Sequence, residues 1–288
     1  MCFKMTKRLL FLLLVPLLVC SCGEYAYMQK SSDVEYKYDA AKACYAEGRY
    51  RRASELLSSV LASLKGSTYG EESLYLLGMS NYMDKDYQAA HDYFRKYYQS
   101  YPKGLYVEKA RYLSAYTLFM QAPDSRLDQQ ATTAAIDEFM EFLDLYPNTV
   151  LKDQTQEMIY VMQDKLVEKE YLSAKLYYDL GNYMVNCSYG GSNYEACVVT
   201  AQNALKDFPY ATATRREELG ILILRSKYQL ARQSVEEKRV ERFRDAIDEY
   251  YSFRNDYPES KYSQEAKHIL DEAENIVKKK KLDLSEPD

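Results

Sequence analysis

The chain has 288 residues, of which 47% are hydrophobic and 28% charged, and its formal net charge is −5. This balance fits one extended repeat array or two compact domains, and the acidic sign excludes a nucleic-acid binder, which would carry a basic stripe. Seven prolines and ten glycines are too few for an all-β fold with many turns, so long regular elements are expected. Tyrosine stands out, with 31 copies against no tryptophan. Its apolar ring and polar tip suit surfaces that are half buried and half wet.

Residues 1–21 read as a signal peptide. Lys4, Lys7 and Arg8 form a basic start, and residues 9–19 are an apolar run too short to span a bilayer as a stable helix. Val19-Cys20-Ser21-Cys22-Gly23 is similar to a bacterial lipobox, in which an apolar residue and two small ones precede a cysteine that takes a diacylglyceryl group. Cys22 is the expected lipidation site, because Leu18 and Val19 before Cys20 are too bulky for Cys20 to serve. The alternative is an ordinary cleaved signal. Several acyl chains anchor stably where one binds only marginally. Gly23 replaces the aspartate of an inner-membrane retention signal, so the expected location is the outer membrane, periplasmic face, with residues 22–33 as a lipidated linker.

Four aromatic-proline pairs punctuate the rest: Tyr101-Pro102, Tyr146-Pro147, Phe208-Pro209 and Tyr257-Pro258. Each is expected just past the end of an amphipathic helix, because proline cannot continue one. Leu74, Leu77, Gly78, Ala90, Phe94 and Pro102 fit the tetratricopeptide pattern. Gly78 and Ala90 fall where two antiparallel helices touch, and a large side chain there would force the axes apart. Upstream, Ala41, Tyr50, Ala53 and Leu57 match Gly78, Tyr87, Ala90 and Phe94. Downstream, Ala135, Phe139 and Phe142 precede Pro147. Cys197, Ala201 and Ala204 precede Pro209, and Ala246, Tyr250 and Phe253 precede Pro258.

The expected fold class is all-α: an α-solenoid of about five tetratricopeptide-like helix pairs plus a C-terminal helix near residues 262–280. Repeats 1–3 occupy residues 34–148, repeats 4–5 and the last helix residues 149–281, and residues 282–288 form a tail. The fourth unit is longest, opening with a helix over about 151–186 and an insertion over 186–193. A single pair cannot bury its apolar face alone, so stacking makes the core. Lys278 to Lys281 complement the dipole of the last helix, with contact to anionic lipid as the alternative.

In tetratricopeptide arrays the first helix of each pair lines a concave face. By that register Glu35, Tyr38, Lys42 and Tyr45 point inward from the first pair, Glu72, Tyr75, Met79 and Tyr82 from the second, and Glu108 and Arg111 from the third. Tyrosine and methionine offer adaptable apolar contact for extended peptides. The competing reading is that many of these tyrosines pack between helices.

No catalytic residue, metal site or cofactor is expected beyond the covalent lipid. His91 and His268 are far apart and sit in no metal-ligand spacing, and neither a phosphate loop nor a Gly-x-Ser-x-Gly elbow occurs. Cys187 and Cys197 flank the insertion, and an oxidising compartment leaves a disulfide between them open as one reading. Against that, Cys197 takes the place filled by alanine in other units, as a small buried residue would.

The lipobox leading straight into the repeats, the stretch Tyr45-Ala46-Glu47-Gly48-Arg49-Tyr50-Arg51-Arg52-Ala53 and the segment Ala174-x-x-Tyr177-Tyr178-x-x-Gly181 together resemble the BamD family. These are lipoprotein subunits of the outer-membrane β-barrel assembly machinery. The resemblance covers essentially the whole mature chain and implies a five-repeat scaffold. It also implies two kinds of partner. A POTRA-bearing (BamA-like) barrel protein would dock on the C-terminal half, and unfolded outer-membrane protein clients would engage the N-terminal half. The insertion at 186–193 departs from the family. Two other readings remain open: an adaptor for cell-wall or division proteins, and a nutrient-binding lipoprotein, although the latter type usually displays exposed tryptophans for sugar stacking.

Overall fold

The computed structural model describes residues 25–181, 183 and 192–283. The signal segment, Cys22, Cys187, most of the insertion and residues 284–288 lie outside them. Among the described residues all regular structure is helical. The helices are α1 (residues 25–30), α2 (Val34–Ala46), α3 (Tyr50–Leu64), α4 (Gly70–Met83), α5 (Tyr87–Ser100), α6 (Val107–Gln121) and α7 (Gln130–Leu145). They continue as α8 (Lys152–Leu180), α9 (Asn193–Asp207), α10 (Ala213–Arg232), α11 (Glu236–Asp256) and α12 (Ser263–Asp283).

The chain forms two compact units. The first runs to Ala122 and resumes over Gln130–Ile159; the second comprises Pro123–Gln129 and everything from Tyr160. In the first, α2 to α7 pack each on the next. In the second, α9 packs on α10, α10 on α11 and α11 on α12, while Ala174 of α8 joins Cys197, Val198 and Ala201 of α9 in one core cluster. Consecutive packing of helices is the arrangement of a tetratricopeptide-like solenoid.

The pairs close where the sequence places small residues. Ala53, Ala90, Ala135, Cys197 and Ala246 are all fully buried, each on the second helix of its pair. Cys197 thus fills an alanine position, and burial pushes its thiol up. Gly78 faces Phe94 so closely that a Cβ would sit 2.8 Å from the ring. The turn inside each of the first two pairs has one geometry. Gly48 and Lys85 both adopt left-handed backbone, with φ of 77° and 66°. The preceding helix end is closed by Arg49 N donating to Cys44 O and Asp86 N donating to Asn81 O. Glycine takes that conformation without strain, whereas lysine does so at a cost.

The fourth unit corrects one boundary. The helix expected to reach residue 186 ends at Leu180. Gly181 turns left-handed at φ 50°, its N–H donates to Tyr177 O, and a Cβ on it would lie 2.6 Å from the Tyr194 hydroxyl. Gly181 is therefore a helix stop rather than a small interior residue.

Acidic residues early in the first helices clasp the turn that opens the next pair. Tyr69 donates to Glu35 at 3.0 Å, and Thr149 to Glu108 at 2.7 Å. Ser260 Oγ and Lys261 N donate to Glu217 at 2.5 and 3.0 Å. Glu71 has the fullest set: its Oε1 accepts from the Tyr97 hydroxyl at 2.6 Å and from Leu105 N at 2.7 Å, and Tyr106 N in turn donates to the Tyr97 hydroxyl at 3.0 Å. Glu71→Ala strands a buried hydroxyl and a backbone donor. The expected loss is about 1–3 kcal/mol in urea unfolding, and Glu71→Gln should recover part of it. An unchanged midpoint in Glu71→Ala would refute the clasp.

Candidate peptide-binding surface

The first helices of the first two pairs bring four of the sequence-selected residues together. Asp33 caps α2 by accepting from Tyr36 N, which sets the helix phase so that Tyr38 and Lys42, one turn apart, share a face. Tyr38 is buried, and its hydroxyl donates to Glu72 Oε2 at 2.5 Å across the gap to α4. Lys42 Nζ lies 2.8 Å from Glu72 Oε1 and also donates to the Tyr38 hydroxyl at 3.4 Å. Glu35, exposed, accepts from Tyr69, whose ring centroid is 5.0 Å from that of Tyr38.

The charges follow from that geometry. The Lys42 ammonium and the Tyr38 hydroxyl hold the Glu72 carboxyl below its usual range, and Glu72 in return raises Lys42. Burial, with the Glu72 hydrogen bond second, pushes Tyr38 up to about 12. Within the cluster Lys42 is paired with Glu72, and Tyr69 and Lys42 remain exposed.

The other selected residues sit elsewhere. Tyr75 is buried, stacked on Tyr106 with centroids 4.3 Å apart, and its hydroxyl has no hydrogen-bond partner. Tyr45 is half-buried edge-on to Tyr50 at 5.3 Å. Met79 and Tyr82 are half-buried, with Tyr82 between Tyr87 and Tyr116 at 6.1 and 6.2 Å. Glu108 is exposed and engaged by Thr149, while Arg111 lies 4.3 Å over the Tyr98 ring and 2.9 Å from Glu141. Tyr69 was missed by register reasoning because it stands in a turn between pairs, where helical spacing gives no signal.

One trio imitates a catalytic arrangement. His91 Nδ1 is 3.1 Å from Ser114 Oγ, and Nε2 is 3.6 Å from Glu138. Ser114 is fully buried and its hydroxyl donates a hydrogen bond to Glu138 Oε2 at 2.7 Å, so the trio ties α5, α6 and α7 together rather than presenting a nucleophile. His268 is exposed on α12 beside Glu272. No group of side chains among the described residues has the makings of a metal site, and no described helix is long and apolar enough to cross a membrane.

These features define a tetratricopeptide-type helical repeat protein with an aromatic, charge-paired face. Comparison with known proteins narrows the class. The profile of a family described as outer membrane lipoprotein, YfiO, matches residues 30–188. The chain is 23% identical over 185 residues to the outer membrane protein assembly factor BamD of Rickettsia prowazekii, covering 63% of this chain and 72% of that protein. It is 26% identical over 144 residues to BamD of Caulobacter vibrioides, covering 50% of this chain and 47% of the relative. The chain belongs to the YfiO/BamD family of outer membrane lipoproteins.

Proposed function

We propose that this chain is a non-catalytic scaffold in outer-membrane protein assembly, held at the periplasmic face of the outer membrane by a diacylglyceryl group on Cys22. Residues 149–281 dock a POTRA-bearing barrel protein, and residues 34–148 engage unfolded outer-membrane protein clients. The observation that carries the reading is family membership, joined to relatives named as assembly factors. The candidate surface supports the client role: Lys42, Tyr69, Tyr82, Glu108 and Arg111 offer rings and paired charges suited to extended peptides of varied sequence. The lipobox supports the anchor, since in Val19-Cys20-Ser21-Cys22 an apolar residue and two small ones precede the cysteine.

A mild-detergent pull-down of the tagged protein from membranes tests the proposal, with wild type beside Cys22→Ala. Wild type should recover a POTRA-containing barrel protein, and Cys22→Ala at least about tenfold less, because tethering raises the effective concentration of the two partners. Recovery of cell-wall enzymes or a nutrient transporter, with no barrel-assembly partner, would move the protein to one of the other two readings.

A further inference from the structure

We propose that a cavity in the first unit, on the side of α4 away from Glu72, binds a short amphiphilic anion: an alkyl chain bearing a carboxylate or a phosphate. The cavity has a volume of about 330 Å³, enclosed by the C-terminal half of α3, the start of α4 and the end of α5. That lies at the lower end of the range for small-molecule sites, roughly 300–1,000 Å³. Leu61, Ala62 and Leu74 give it an apolar floor, and Lys65, Lys96 and the Tyr101 side chain stand around them. No acidic side chain lines it.

That sign is unusual in a chain of net charge −5. A larger cavity of about 470 Å³ in the second unit is lined by Glu195, Asp245 and Asp248, and its Lys227 is 2.5 Å from Glu249. In the first cavity neither lysine has a carboxylate within ion-pair distance among the described residues, in contrast to Lys42, Lys175 and Lys227. Both lysines are exposed, so their ammonium groups swing over the mouth on long stems while the stems add to the apolar wall. An alkyl chain replaces water on Leu61 and Leu74, and the anionic head meets two ammonium groups and a phenol. A neutral alcohol of the same length satisfies only the first half of that description, and an inorganic anion only the second.

The site is separate from the Tyr38–Lys42–Glu72 cluster. Gly70 and Leu74 lie one turn apart on one side of α4, and Glu72 projects from the other. The inference therefore stands or falls independently of the assembly role.

Calorimetric titration of the full mature chain with decanoate, decyl phosphate and decanol decides it. Both anions should bind at least about tenfold more tightly than decanol, with the difference shrinking as salt is raised. Tighter binding of decanoate identifies a fatty-acid ligand, and tighter binding of decyl phosphate a phospholipid fragment. Lys65→Ala/Lys96→Ala, two exposed positions, should bring the anions down to the level of decanol. Ala62→Phe, which fills the floor from an exposed position, should abolish binding of all three while leaving the helical circular dichroism unchanged. Anions that bind no better than decanol, fail to bind below millimolar concentration, or bind Ala62→Phe as they bind wild type would each overturn the proposal.

Discussion

Replacing Phe94 by alanine is expected to cost about 3–5 kcal/mol in urea unfolding, the loss typical of a large aromatic removed from a core that cannot collapse. The side chain is fully buried, and its ring lies 6.0 Å from that of Tyr75, itself buried. It fills the space that Gly78 leaves open, as the 2.8 Å approach of a notional Cβ to two ring carbons makes plain. Gly78→Ala sets two effects against each other. Alanine gains about 1 kcal/mol of helix propensity over glycine, while overpacking a closed core costs about 1–3 kcal/mol. The ring is held on all sides, so the clash should win and the variant should be less stable than wild type. In the double variant Gly78→Ala/Phe94→Leu the smaller side chain makes room, and its loss should fall short of the sum of the single losses by about 0.5–3 kcal/mol. A Gly78→Ala protein more stable than wild type by the full propensity difference would show that the ring moves aside freely. Gly220 in the second unit, where a Cβ would lie 3.0 Å from Tyr257 and 3.1 Å from Phe253, should respond in the same direction but more weakly.

These packing positions were legible in the sequence because they recur. Ala53 and Ala90 both stand four residues before a large apolar residue, Leu57 and Phe94, and Ala135 and Ala246 repeat the pattern with Phe139 and Tyr250. Burial of all eight side chains follows from that spacing. Gly181 lies inside the helix expected over about 151–186 and instead ends it. A glycine after Leu180 looks like the small residue after Leu77, but only the backbone angle tells a contact glycine from one that ends a helix, and sequence does not encode the angle directly. Of the candidate surface, Tyr38, Lys42 and Glu72 were readable from helical phase alone. Phase says which way a side chain sets out and not what it meets, which is why Tyr75, on the same register, ends beneath Tyr106. The clasp at Glu71 was also missed. Its only sequence sign is an acid in the first turn of a helix, and that position ordinarily needs no explanation beyond the helix dipole.

The abundance of tyrosine leads to a second large effect, a loss of stability in alkali. Burial raises Tyr38 and Tyr112 to about 12. Tyr25, Tyr75 and Tyr97 are pushed higher still, first by burial and, for Tyr25 and Tyr97, next by hydrogen bonds to Glu55 and Glu71. All five belong to the first unit. A tyrosine in the unfolded chain ionises near pH 10, so above that pH the unfolded state holds fewer protons than the folded state and stability falls as pH rises. The contribution of each such hydroxyl is fully present below pH 10 and is lost through the window up to its folded value, at about 1.4 kcal/mol per pH unit for each group. Five such groups titrating together remove about 7 kcal/mol per pH unit, which is comparable to the 5–15 kcal/mol stability of an ordinary domain. Tyrosinate absorbance and far-ultraviolet circular dichroism, followed together against pH, should therefore show two phases. The first, near the ordinary pH of tyrosine ionisation, leaves the helix intact, and the second, that of the buried set, is cooperative and coincides with loss of helix. Glu72→Gln removes the carboxylate that favours the protonated form of Tyr38 and should shift part of the second phase to lower pH. Ionisation of every tyrosine in one step near pH 10, with the helices unchanged, would mean that these rings are reached by water in solution and that the first unit is not packed as described.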